Sequence, residues 1–198
     1  MKYEYLISSL PELHADGAAP MTMEALEELL AETLTENDLE QLRLLKLHSG
    51  RGACRFVKDW QMFNRQLNNV LTAHICRKHK MEPRLAVVGG DEIAEQLKRI
   101  ESQKHKDFGL TGMLDSLPEI LAVAEEDNLL EREKRIDALR FAWLEERTQM
   151  INFSLENVLA YYLMNDMLCR WDVLTVEKGE KVFRDIVADM KKGVKFEN

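Results

Sequence analysis

The stretch Arg55-Phe56-Val57-Lys58-Asp59-Trp60-Gln61-Met62-Phe63-Asn64-Arg65-Gln66-Leu67-Asn68-Asn69-Val70-Leu71-Thr72-Ala73-His74-Ile75-Cys76-Arg77-Lys78-His79-Lys80 contains neither glycine nor proline. Phe56, Trp60, Phe63, Leu67, Val70 and His74 recur at alternating spacings of four and three residues. That period lines one face of an α-helix, whereas a strand would alternate every second residue. The stretch therefore predicts a long helix over 55–80. The rest of the chain agrees: 198 residues hold only 9 Gly and 4 Pro, about half the usual share of roughly 12%. Collagen-like, proline-rich disordered and turn-dense all-β chains all need more of both residues. The expected fold class is all-α, an elongated antiparallel helical bundle.

Working outward, Gly17 to Pro20 read as a loop and Thr22 as the N-cap of a helix reaching about Leu34. Thr35 or Asn37 starts another that ends at Ser49-Gly50. The opening segment Tyr3–Leu13 fits either a strand or one helical turn. Beyond the central helix, Pro83 and Gly89-Gly90 break the chain, and Asp91 caps a helix predicted to run to about Lys104. Gly109 to Gly112 is a second break, and the helix after it has to accommodate Pro118. A long helix from Asn128 carries Leu129, Ile136, Trp143 and Met150 at seven-residue spacing, with Leu139 between, which predicts a seam. Ser154 caps or bends the chain before the apolar helix containing Leu155, Val158, Leu159, Tyr162 and Leu163. A final helix from Thr175 places Val182, Ile186 and Met190 on one stripe. The chain reads as one helical domain, 1–198, with sub-units 1–82 and 105–198 joined by a breaker-rich middle.

Charge is distributed unevenly. The net value is −8, yet residues 1–50 hold 10 acidic and 3 basic side chains, residues 51–110 hold 7 and 12, and residues 111–198 hold 18 and 12. An acidic total argues against sequence-independent nucleic-acid binding, which depends on neutralising phosphates. The basic middle is densest at Arg77, Lys78 and Lys80. These residues are either a partner-binding patch or cations stabilised at the negative end of a helix dipole. Glu27 and Glu28, within the acidic residues 21–40, are the complementary candidates for meeting a basic partner. Three widely spaced cysteines, Cys54, Cys76 and Cys169, predict no disulfide framework and a reducing cytoplasm. The longest uninterrupted apolar run, Val158–Met164, is far short of the roughly 20 residues a membrane helix needs. The expected location is cytoplasmic, with room for a peripheral place on the inner face of a membrane.

No catalytic signature is present, and the expectation is that the chain is not an enzyme. A P-loop is missing, and Leu85–Asp91 reads as a turn plus N-cap, not a phosphate loop. His74 and His79 point about 140° apart on a helix, beside the repelling Arg77 and Lys78. No histidine has Glu three residues before it, as a di-iron Glu-x-x-His pair requires. No nucleophile elbow surrounds Ser8 or Ser9 near His14. The carboxylates at Glu125, Glu126, Asp127, Glu131 and Glu133 read as a charged face, and Trp60, Trp143 and Trp171 as core or interface anchors. No catalytic, metal or cofactor residue is assigned, and no cofactor is expected.

Phe63–Leu71 and Ile151–Leu159, 88 positions apart, share Asn64/Asn152, Leu67/Leu155, Asn69/Asn157, Val70/Val158 and Leu71/Leu159. Asparagine is a poor helix former, so these residues suit cross-bonding between helices, as a duplicated structural motif or simply as solvated positions. Phe63–Lys78, with Asn69-Val70-Leu71 followed by Arg77-Lys78, resembles the Asp…Asn-Leu…Leu-Arg-x-Lys helix of the C subunit of A- and V-type rotary ATPases, whose eukaryotic counterpart is the d subunit. The opening Tyr3-Glu4-Tyr5-Leu6-Ile7-Ser8-Ser9-Leu10-Pro11-Glu12-Leu13 resembles an uncharacterised bacterial family encoded among V-type ATPase genes. So does Ser154-Leu155-Glu156-Asn157-Val158-Leu159-Ala160-Tyr161-Tyr162-Leu163, followed by Arg170-Trp171. The resemblance implies a non-catalytic helical subunit or accessory protein of a proton- or sodium-transporting ATPase, with stalk or rotor-ring subunits as partners. In the C subunit of those ATPases such helices connect the central stalk to the membrane rotor ring. Asn64 stands where the motif usually has Asp, two repeats stand in place of three, and the chain is shorter than that subunit. The alternatives are an assembly factor, a self-associating scaffold, or a small-molecule enzyme with its site between helices.

Overall fold

The computed structural model describes residues 3–173 and Arg184. Eight α-helices follow one another, with no strand among the described residues: α1 (Glu4–Ser9), α2 (Met23–Thr33), α3 (Glu36–Lys46), α4 (Arg55–His79), α5 (Glu92–Leu97), α6 (Leu117–Ala124), α7 (Leu129–Thr148) and α8 (Leu155–Val173). Short 3₁₀ turns lie at Pro83–Leu85 and Glu101–Lys104. The fold is all-α. The stripe expected on the final helix, Val182, Ile186 and Met190, lies outside the described residues.

The chain divides into two compact units, one from residues 1–33 and 151–198 and the other from 34–150. This division cuts across the expected 1–82 and 105–198. Glycine and proline mark where the chain turns, but compact units are set by which apolar faces meet, and residues 105–150 pack with α4.

In the second unit α4 is the organising element, packed by α3, α5 and α6, with α7 against α6. Phe56, Val57, Leu67 and Val70 are fully buried, and Trp60 and Phe63 nearly so. Each such side chain contributes on the order of 1.5–3 kcal/mol on leaving water. Trp143 of α7 stacks on Phe63 at 5.1 Å between ring centroids and lies 5.6 Å from Trp60 and 6.1 Å from Phe56. Trp60 and Trp143 are thus anchors inside one unit.

The seven-residue seam expected on α7 is not what the helix buries. Leu129 is 65% exposed and Met150, beyond the helix end, 89%, whereas Ile136, Asp137, Phe141 and Leu144 face inward. A straight helix drifts about 20° per heptad from a strict seven-residue repeat. Leu129, moreover, is the first residue of α7 and Met150 lies past its last, so the outer members of the series fall at its ends. The helix predicted to run from Asp91 to Lys104 ends instead at Leu97. Beyond it, Ser102 Oγ donates to the Gln96 carbonyl at 2.7 Å and Gln103 Nε2 to the Leu97 carbonyl at 3.0 Å. Side chains thus satisfy end carbonyls that continued helix would have bonded. Pro118 sits in the first turn of α6, where a missing N–H costs little.

In the first unit the opening segment forms α1 with Leu6 buried, so it is helical. α2 packs on α8 and buries Leu26 and Leu30, while α8 buries Val158, Leu159, Ala160, Tyr162, Asn165, Met167 and Leu168. Thr22 Oγ1 accepts from the Ala25 amide at 3.2 Å, the capping bond its position predicts.

Candidate functional site

Asn69 is 1% exposed near the middle of α4. Its Nδ2 donates to the Val88 carbonyl at 2.7 Å and its Oδ1 accepts from the Val88 amide at 3.0 Å. One side chain therefore reads both backbone groups of a residue 19 positions away, like a rung of a sheet. Around this clasp, Gly89 adopts φ +97°, a region that favours glycine. Asp91 Oδ1 accepts from Ala94 N at 3.2 Å as the N-cap of α5. Its Oδ2 accepts from Arg65 Nε at 3.2 Å, so loop 86–91 is bound to α4 on two sides. The expected turn plus N-cap at 85–91 is what the structure has.

Asn64 behaves differently. Its Nδ2 donates to the Trp60 carbonyl at 3.0 Å in its own helix, and its Oδ1 accepts from Arg140 Nε of α7 at 2.8 Å. Arg140 also reaches Asp137 at 3.0 Å, and Arg147 of α7 pairs with Asp59 of α4. The aligned partners do not repeat these roles. Asn152 is exposed in a loop. Asn157 lies in the first turn of α8, where its Oδ1 accepts from the Ser154 amide at 3.1 Å and hydroxyl at 2.8 Å, a reciprocal cap. The 88-residue similarity therefore joins a mid-helix segment to a helix start.

At the C-terminal end of α4 the three cations separate. Arg77 Nη1 donates to the His105 carbonyl at 2.9 Å and the Lys106 carbonyl at 3.3 Å, and its guanidinium lies 4.3 Å from the centre of the buried Phe108 ring. It fastens loop 105–112, in which Asp107 accepts from Gly109 N at 3.0 Å and Thr111 Oγ1 at 2.5 Å. Those bonds, Thr111 first, hold the Asp107 carboxyl below the usual range. His74 is pushed below the ordinary imidazole value by burial and then by the Arg77 charge. Lys78 is exposed and pairs with the exposed Asp127 at 3.0 Å. Lys80 is exposed at φ 54°, ψ 39°. The Met81 amide donates to the Cys76 carbonyl at 2.8 Å and the Lys80 amide to Arg77 at 3.4 Å, the bonding of a Schellman stop.

In the first unit Tyr162 donates to Glu27 Oε1 at 2.7 Å, so Glu27 braces α2 against α8 while Glu28 is exposed. Burial first, then that carboxylate, drives the Tyr162 phenol upward. Tyr161 is pushed up to about 12 by burial, and its hydroxyl has no partner among the described residues. Asn165, fully buried, donates to the Met21 carbonyl at 3.1 Å. Asp172 accepts from Ala19 N at 2.9 Å, and Arg170 lies 5.8 Å from the Trp171 ring centre. The three cysteines are free thiols.

The densest cations of the basic middle, Arg77, Lys78 and Lys80, do not form one patch. A cleft of about 460 Å³ is lined instead by Arg84, Glu95, Lys98 and Arg99. The surplus of cations in residues 51–110 was the available signal, but nothing in sequence spacing shows that residues 84 and 99 meet. Among the described residues no group of three or more His, Cys, Asp or Glu is placed to hold a metal ion. No described helix is long and apolar enough to cross a membrane. A family model described as "Protein of unknown function (DUF2764)" matches residues 48–194. Comparison with curated proteins gave no match, and comparison with solved structures gave none.

Proposed function

We propose that this chain, which belongs to the DUF2764 family, is a non-catalytic helical subunit or accessory protein of a bacterial V-type ATPase, a connector resembling the C subunit of such machines. The observation that supports a mechanical role is how the polar side chains converging on α4 are used. Asn64, Asn69, Arg77 and Asp59 are bonded to α7, to loop 86–91 or to loop 105–112. The bonds that involve a guanidinium contribute roughly 1.5–3 kcal/mol each and the neutral Asn69 bonds about 0.5–1.5 kcal/mol each, and together with the Trp143 cluster they make α4 a braced strut. A part that passes force between partners needs that stiffness. The choice of machine rests on the sequence resemblance at 3–13, 63–78, 154–163 and 170–171. The central-stalk and rotor-ring subunits are the partners it implies, on the cytoplasmic side of the membrane.

Light scattering of the purified chain, alone and mixed with each purified stalk and rotor-ring subunit, tests the reading. A defined stoichiometric complex with one of them is expected. No complex with any of them, together with self-association of the chain alone, would make it a scaffold.

A further inference from the structure

We infer that the cleft between Arg84 and Arg99 is a docking site for an acidic, partly apolar segment of a partner protein. Arg84 and Arg99 are exposed, and among the described residues neither guanidinium has an ion-pair or hydrogen-bond partner. Each guanidinium carries five N–H donors in a planar fork suited to a carboxylate. Lys98 is held in place: its Nζ donates to the Gly89 carbonyl at 2.5 Å and pairs with Glu95 at 2.9 Å. The clasp of Asn69 on Val88 holds the residue next to Gly89, the glycine whose carbonyl Lys98 grips.

The residues that follow the two arginines in the chain are apolar and exposed: Leu85 at 89% and Ile100 at 54%. A small anion gains nothing from such flanks, and sites for small ligands bury most of the ligand, which an open cleft with exposed arginines does not do. A polypeptide carrying carboxylates and apolar side chains matches both features. The chain's net charge of −8 does not oppose this, since charges beyond about 8 Å are screened at physiological salt. The surface does not depend on the ATPase reading, because an acidic partner outside that machine fits it equally.

The test uses the full chain and a short fluorescein-labelled peptide of alternating Glu and Leu, followed by anisotropy. Saturable binding is expected, weakened about tenfold or more by Arg84→Glu with Arg99→Glu and little changed by Lys78→Glu. A matched Glu-Gly peptide should bind more weakly. Arg84→Gln with Arg99→Gln, which adds no negative charge, should also weaken binding. The inference is overturned if the Glu-Leu peptide does not bind, or if both double variants bind it like the parent. It is likewise overturned if succinate alone competes with the affinity of the peptide, or if light scattering shows a dimer that both double variants dissociate.

Discussion

Replacing Asn69 probes the clasp that ties loop 86–91 to α4. In Asn69→Ala two hydrogen bonds are lost, to the Val88 carbonyl and amide, at a site 1% exposed. Each is worth about 0.5–1.5 kcal/mol net, and a backbone group left dry costs up to about 3 kcal/mol. A loss of roughly 2–4 kcal/mol follows, a Tm shift of about 4–16 °C at this chain length. Asn69→Asp sharpens the argument because it replaces the donor that faces Val88 O by a carboxylate oxygen. Only the protonated acid can restore that bond, so burial and the facing carbonyl raise its folded pKa above the unfolded value. Stability is then greatest below the unfolded carboxyl pKa, about 4. It falls as pH rises from there through the raised folded pKa. The assay is urea unfolding followed by tryptophan fluorescence, with Trp171 changed to Phe so that Trp60 and Trp143, in the same unit as Asn69, report alone. The reasoning fails if Asn69→Ala lies within about 0.5 kcal/mol of the parent, or if Asn69→Asp shows the parent's pH profile.

Further outcomes follow from single residues. Lys80 occupies the left-handed region at the end of α4, so Lys80→Gly should stabilise by about 1 kcal/mol in urea unfolding; a loss would contradict the Schellman stop. Tyr161→Phe removes a buried hydroxyl that lacks a partner and should leave thermal stability unchanged or higher. Tyr162→Phe, by contrast, breaks the bond to Glu27 and should cost about 1 kcal/mol. The imidazole of His74 should titrate below about 6.5 by NMR, and Arg77→Gln should move it back upward. Its depressed folded pKa means that its contribution is present above the unfolded pKa and lost as pH falls through the folded one. Cys76 and Cys169, raised chiefly by burial, should react slowly with a disulfide reagent at neutral pH until the chain is unfolded.

The helices were legible because their signals are local. The four-three spacing of Phe56 to Val70, Thr22 at the start of α2, Asp91 before α5 and Asn128 before α7 each predict structure within a few residues. What escaped depends on packing between distant segments. Lys80 reads as a cation in a row of cations, yet its backbone is the helix stop. Arg77 reads as part of a patch, but a loop 28 residues onward takes its donors. The asparagines look repeated because they share a composition, whereas Asn69 serves a buried loop and Asn157 a helix start. Leu129 and Met150 fit a heptad on paper, but the one is the first residue of α7 and the other lies past its last, and both are exposed. The cleft at Arg84 and Arg99 is lined by a turn and by the end of α5, a juxtaposition that no spacing rule describes.

The central functional claim is most directly tested by purifying the V-type ATPase from its native cell through a tag on an established subunit. Quantitative mass spectrometry then counts this chain per complex. The account predicts a fixed stoichiometric amount at low salt, diminished as salt rises. Its absence from the intact complex at every salt concentration would contradict the claim.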